Sequence, residues 1–146
     1  MVQSYDAAIT SGASKDSIVP IFIVQLGTPR NPHEGLRLGT VRRPPRGVAK
    51  RDFARLGYYD VWFPNLAPSA ELVKEALQAS DERSWIAFEQ KFRRQMSLPD
   101  QSRELDLLAA LSHTTNFSLG CYCENEKRCH RSILRALLIE RGAAVI

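Results

Sequence analysis

A short stretch near the carboxyl end of the chain gathers most of its chemically versatile side chains. Between residues 121 and 132 stand three cysteines, a histidine, two arginines and a serine, namely Cys121, Cys123, Arg128, Cys129, His130, Arg131 and Ser132. The stretch runs from the end of a predicted strand into a predicted helix, which is where open α/β sheets bind ligands. A helix start offers free N–H groups and positive partial charge. We therefore predict an anion site formed by Arg128, Arg131 and Ser132.

Cys129 and His130 are the two residues of this stretch that could react. A helix N-terminus favours the thiolate form of a cysteine, which would make Cys129 a nucleophile. His130 could serve as a general acid or base near neutral pH. A plainer interpretation stays open, in which Cys121 is a small core residue and His130 only caps or packs. The residues alone do not decide whether the protein is an enzyme.

Zinc is a further option, because Cys121, Cys123, Cys129 and His130 all have side chains that bind it. Their spacing argues against it, since there is no C-x₂-C pair and the adjacent Cys129 and His130 would diverge in a helix. The chain also lacks a dinucleotide fingerprint, a P-loop, an H-E-x-x-H motif and a G-x-S-x-G motif. We therefore expect no metal and no cofactor.

A second candidate is a basic segment in the first half of the chain. It holds seven cations against one acid, Asp52, and its members are Arg37, Arg42, Arg43, Arg46, Lys50, Arg51 and Arg55. Guanidinium groups suit phosphate or carboxylate ligands, so we predict ligand binding by Arg42, Arg43 and Arg46. Asp60 follows on a predicted strand and could orient one of these arginines. The alternative is a solvated loop whose arginines pair with surface acids.

The order of predicted elements favours an α/β domain. Strands are predicted over residues 18–26, 36–41, 58–63 and 117–122, and helices over a segment capped by Ser69, one starting at Ser80 or Asp81, one capped by Asp100 and ending near Ser112, and residues 129–141. We expect a central mostly parallel or mixed sheet with helices packed on it, ending in a strand–loop–helix unit. Residues 1–17 read as a flexible N-terminal arm and residues 18–146 as a single domain.

Composition and charge limit the class of protein. The chain has 146 residues, 44% hydrophobic and 25% charged, which excludes collagen-like, disordered and coiled-coil proteins. No run reaches the length of a membrane span and no signal peptide is evident, so we expect no membrane partner. Three cysteines crowded into one stretch are not a disulfide framework, which predicts a cytoplasmic location. The sequence does not predict the oligomeric state.

Several stretches resemble the bacterial family named domain of unknown function 488, and especially its YeaO-like branch. They are Pro45-Arg46-Gly47, Tyr59-Asp60-Val61-Trp62, Leu66-Ala67-Pro68-Ser69-Ala70-Glu71-Leu72, Trp85 with Phe88, Phe92 and Arg93-Arg94, and Cys129-His130-Arg131, which matches the Cys-His-Arg motif of the broader family. The resemblance implies a compact α/β fold whose Cys-His-Arg motif lies at a strand-to-helix junction, and no established activity. Where the broader family usually has Asp-Val-Arg, this chain has Thr40-Val41-Arg42.

Three hypotheses about function follow. In the first, the domain binds a phosphate, a nucleotide or a carboxylate in a cleft. One side of the cleft is the arginine-rich loop, which carries Arg42, Arg43 and Arg46, and the other side is the helix start at Cys129. In the second, it is a nucleic-acid-associated module that uses the basic loop with Tyr58, Tyr59 and Trp62 as stacking surfaces. In the third, it is a protein-interaction domain without catalysis.

Overall fold

A four-stranded sheet and four α-helices make up the domain in the computed structural model, which describes residues 20–146. The predicted N-terminal arm and the first two residues of the first predicted strand lie outside the described residues. The strands are β1 (Ile21–Gln25), β2 (Leu36–Gly39), β3 (Val61–Trp62) and β4 (Phe117–Cys121), and the helices are α1 (Ala70–Gln78), α2 (Glu82–Met96), α3 (Pro99–Leu111) and α4 (His130–Glu140). The predicted α/β architecture is confirmed.

The sheet is parallel throughout and has the order β1-β4-β2-β3. β4 is last in the chain and yet central in the sheet, because it pairs with β1 on one side and with β2 on the other. All four strands point the same way, so the segments that follow them emerge at one edge. We call this the carboxyl edge.

Buried side chains form two separate groups. The larger one lies among β1, β4 and helices α2 to α4, and includes Phe88, Phe92, Leu119 and Leu134. The smaller one, called here the second cluster, consists of Leu26, Val41, Tyr59, Cys121 and Cys129. Two of the three cysteines therefore lie in apolar surroundings close to the carboxyl edge.

The helix ends agree with the predictions at some positions and differ at one. Ser69 caps α1 by accepting a hydrogen bond from Leu72 N at 3.2 Å, and Asp81 caps α2 by accepting one from Ser84 N at 2.8 Å. The predicted cap at Asp100 is wrong, because α3 begins at Pro99, where the missing N–H costs nothing. Gly142 has a φ of 82° directly after the last helix, as a C′ glycine should.

β2 and β3 are shorter than predicted. Regular pairing between them is limited to Leu38 with Val61 and Gly39 with Trp62. The ring of Tyr59, which precedes β3, is buried in the second cluster and packs directly against the backbone of Gly39. Any side chain at Gly39 would overlap that ring.

Within residues 20–146, no helix combines the length and the apolar character that crossing a membrane requires.

Candidate functional site

Two segments that follow strands meet at the carboxyl edge. Thr40, just after β2, accepts a hydrogen bond through its carbonyl oxygen from Nε2 of His130, at 2.6 Å. The Thr40 hydroxyl donates to Gly120 O at 2.9 Å, which ties the same residue to β4. A carbonyl can only accept, so the proton sits on Nε2 of His130 and the lone pair on Nδ1. That lone pair lies 3.7 Å from Sγ of Cys129.

The three cysteines converge, although they stand on different elements. Cys121 ends β4, Cys123 lies in the following turn and Cys129 is the N-cap of α4. Their Sγ atoms all lie within 4.8 Å of one another, and those of Cys121 and Cys123 are 3.9 Å apart. All three thiols are free, with Cys121 and Cys129 buried and Cys123 exposed.

Cys129 has an environment that favours its thiolate. Hydrogen bonds from the thiols of Cys121 and Cys123 lower the pKa of Cys129, and His130 lowers it further, against the opposing effect of burial. Nε of Arg131 also donates to Sγ of Cys129 at 3.4 Å. Among the three thiols, these contacts therefore favour loss of the proton from Cys129.

Cys121 behaves in the opposite way. Hydrogen bonding to Cys123 and Cys129 raises the pKa of Cys121, and burial raises it further. The hydrogen bonds within the cluster therefore act in opposite directions on the two buried thiols, raising the pKa of Cys121 and lowering that of Cys129.

The predicted anion-binding residues of the α4 start divide into two groups. Arg131 is buried against Cys129 and donates to Cys123 O at 2.6 Å. Arg128 and Ser132 instead line an open pocket of about 510 Å³ together with residues of α2. There, Arg128 lies over the ring of Trp85 at 5.7 Å. Arg128 and Ser132 thus belong to a surface different from the one that the thiols form with Arg131.

The arginine-rich loop touches the cysteine turn through its backbone. The Tyr122 hydroxyl donates to Arg43 O at 2.8 Å. The guanidinium of Arg42 is already bound, because it donates at 2.9 Å to the carbonyl oxygens of both Ala67 and Pro68. The side chains of Arg43 and Arg46 are exposed, and among the described residues neither forms a salt bridge.

Asp60 binds Arg30, which is not one of the arginines of the predicted ligand site. It binds the guanidinium of Arg30 through both carboxylate oxygens, at 2.8 and 3.1 Å, and accepts from Arg37 N at 2.8 Å. Burial alone would raise the pKa of Asp60, but these hydrogen bonds and the two arginine charges lower it below its usual value. Asp60 therefore fixes loop structure around β2.

Arg37 is a structural residue inside the protein. It is 1% exposed, pairs with Glu34 and donates to the carbonyl oxygens of Thr28, Pro29 and Gly57. Arg37, although part of the basic segment, is therefore too deeply buried to bind a ligand at the surface.

Thr40 and Tyr122 are the site residues that the sequence did not single out as candidates. Both directly follow a strand, and residues in that position meet at the carboxyl edge of a parallel sheet. Their position was therefore a usable signal. Thr40 binds the imidazole of His130, and Tyr122 binds the backbone carbonyl of Arg43. Both contacts depend on tertiary structure that no local pattern encodes.

Comparison with known proteins places the chain in a family. Neither the curated proteins nor the solved structures contain a match to it. A protein-family model, DUF488-N3a, described as the active DUF488-N3 subclade, matches residues 21–142, which span the whole sheet and all four helices. The chain therefore belongs to the DUF488 family, in this subclade.

Proposed function

We propose that this domain binds a small anion, such as a phosphate, a nucleotide or a carboxylate, at the carboxyl edge, and that Cys129 reacts with it. The observation that carries the proposal is the contact between the two predicted halves of the site. Thr40 holds His130, and Tyr122 holds the backbone of Arg43. The arginine-rich loop and the start of α4 are thereby neighbours.

The charges around this junction suit an anion. Arg43 and Arg46 are exposed, and their guanidinium groups can form paired hydrogen bonds with phosphate or carboxylate oxygens. The N-terminus of α4 adds the partial positive charge of the helix. Arg42 and Asp60 support the site indirectly, since Arg42 fixes the loop to residues 67 and 68 and Asp60 holds Arg30. Arg128 and Ser132 line the separate pocket beside α2, where Arg128 pairs with Glu82.

The arrangement of Cys129, His130 and Thr40 supports a reaction by a thiol. A nucleophile, a base and a group that orients the base are the usual components of such sites. In the proposed reaction, Cys129 transfers its proton to Nδ1 of His130, and its sulfur bonds to an electrophilic carbon or phosphorus of the ligand. The bond to the leaving group breaks with its electron pair, and the leaving group takes the proton from His130.

A water molecule then completes a hydrolysis. It gives one proton to His130, its hydroxide bonds to the electrophilic atom, and the sulfur–ligand bond breaks to restore the thiolate, which regains the proton. The description of the matched family as an active subclade favours an enzyme over a binding module.

Isothermal titration with inorganic phosphate, AMP and citrate tests the binding half of the proposal. We expect at least one of them to bind, and the double variant Arg43→Ala/Arg46→Ala to weaken it about tenfold or more, because a charge-assisted hydrogen bond contributes about 1.5–3 kcal/mol. The matched control is Arg83→Ala/Arg103→Ala, which removes two exposed arginines from α2 and α3. Equal weakening by both double variants would reject the loop as the ligand site.

The reacting thiol is tested separately. Peptide mass spectrometry after exposure to a panel of phosphate and carboxylate esters should find the transferred group on Cys129, and Cys129→Ser should abolish it. Transfer to Cys123, the exposed thiol, would show that the reaction does not use Cys129 with His130.

The free thiols also support a location. Three cysteines crowded into one short stretch do not form a disulfide framework, which favours the cytoplasm as the location that we propose. A fractionation experiment that found it in an oxidising compartment would contradict this.

A further inference from the structure

We propose that Cys121, Cys123 and Cys129 form a binding site for a thiophilic metal ion of the zinc class. The observation is the triangle of sulfur atoms, all within 4.8 Å of one another. Zinc–sulfur bonds of about 2.3 Å in a tetrahedron place two sulfur ligands about 3.8 Å apart. The Sγ atoms of Cys121 and Cys123 are already 3.9 Å apart, so the third thiol needs to move by less than about 1 Å.

The positions of the three thiols are fixed by the fold rather than by a loose loop. Cys121 is paired with Gln25 in the ladder between β1 and β4. Cys129 is held as the N-cap of α4, and the turn at Cys123 is fastened by the bond from Arg131 to Cys123 O. A site built on a strand end and a helix start is preorganised, which favours metal binding.

The helix geometry removes the objection that the spacing raised. Cys129 has an extended backbone, with φ −132° and ψ 149°, because it precedes the first residue of α4. Its side chain consequently does not diverge from that of His130, and Nδ1 of His130 lies 3.7 Å from its sulfur. Nε2–H of His130 donates to a backbone carbonyl, as the second nitrogen of metal-binding histidines commonly does. His130 is therefore close to one of the three thiols, that of Cys129, while the group that could hold an ion consists of the three cysteines.

Charge also balances at this site. Three thiolates and a divalent ion carry a net charge of −1, and the guanidinium of Arg131 stands 3.4 Å from Sγ of Cys129. Leu26 and Val41 of the surrounding second cluster are apolar, which strengthens the attraction between ion and thiolates. Soft thiolate ligands select zinc, cadmium and copper(I) over magnesium or calcium.

Metal binding would exclude the thiol reaction proposed above, because both use the lone pairs of Cys129. An ion held by the three sulfurs would keep the thiol protected until the ion is removed. The metal proposal does not depend on the anion proposal, and either can fail without the other.

The test is titration of the full-length, reduced and metal-stripped protein with Cd²⁺, followed by the thiolate-to-cadmium charge-transfer absorbance and by competition with Zn²⁺. We expect saturation at one ion per chain and displacement by Zn²⁺. Cys123→Ser is the deciding variant, because Cys123 is exposed and its replacement leaves the core intact. It should weaken Cd²⁺ binding more than tenfold. The control is His113→Ala, which removes an exposed histidine outside the cluster and should leave the affinity for Cd²⁺ unchanged.

Two results would overturn the proposal. One is the absence of a charge-transfer band at stoichiometric Cd²⁺. The other is a Cys123→Ser protein that is folded by circular dichroism and binds Cd²⁺ as tightly as the original chain. Anion titrations on the same samples use neither readout, so they report on the earlier proposal alone.

Discussion

At the scale of single residues, Glu34 and Arg37 form an ion pair inside the protein. The two side chains are 2% and 1% exposed, and Arg37 also fastens three backbone carbonyls. Removing one partner of a buried pair leaves the other uncompensated. We expect Glu34→Gln to lower the free energy of unfolding by about 3–5 kcal/mol, measured by urea titration.

A matched pair on the surface provides the control for that measurement. Glu75 pairs with Lys91 at 2.9 Å, and both side chains are partly exposed. Glu75→Gln makes the same chemical change and should cost less than about 1 kcal/mol. Similar losses in the two variants would show that burial of the Glu34 pair has no energetic consequence.

The pH dependence of stability follows from the same carboxylate. Burial would raise the pKa of Glu34, but hydrogen bonds from Arg37 and Asn31 outweigh it and lower the pKa below the ordinary 4.5. The unfolded chain then binds protons more readily, so the stabilisation is full above pH 4.5 and is lost as pH falls through the folded pKa. Urea titrations from pH 7 to pH 3 should show this loss, and Glu34→Gln should show less of it.

At the scale of elements, the contact between β2 and the ring of Tyr59 constrains the site closely. Gly39 has no room for a side chain, and the next residue, Thr40, binds His130. We expect Gly39→Ala to destabilise the fold by about 1–3 kcal/mol through overpacking.

A double-mutant cycle distinguishes this overlap from a general effect on the strand. Tyr59→Ala opens the space that the new methyl group needs, so the cost of Gly39→Ala should fall when Tyr59 is already alanine. Strictly additive free energies of unfolding would contradict the packing argument.

The elements also show how far the sequence reaches. Local signals predicted the apolar runs of β1 and β4, the cap at Ser69 and a second helix starting at Ser80 or Asp81, because each depends on residues that are near in the chain. They did not predict how short β2 and β3 are or that Tyr59 packs against Gly39, because such contacts join residues far apart in the chain. Local signals also did not predict that Cys123 and Cys129 lie close together, since the turn between these cysteines is held by Arg131.

At the scale of the whole molecule, the net charge of +4 is less available to a polyanion than the sequence suggested. Arg37 and Tyr59 are buried, and Arg55 pairs with Asp52. Binding of nucleic acid through many phosphates gives an affinity that falls steeply with salt. We expect no binding of single- or double-stranded oligonucleotides at micromolar protein in low salt, measured by fluorescence anisotropy. A steep, salt-sensitive isotherm would favour the nucleic-acid module instead.

The central position of β4 has a consequence for how the chain reaches its native state. β1 and β2 do not pair with each other, and contacts such as that from Gln25 to Tyr122 span 97 residues. During synthesis on a ribosome, β2 can pair with β3 early, but β1 must wait, unpaired, until almost the whole polypeptide has emerged. Such long-range contacts slow folding because loop closure precedes any gain from pairing. The nascent chain therefore exposes the apolar strand β1 for most of its translation.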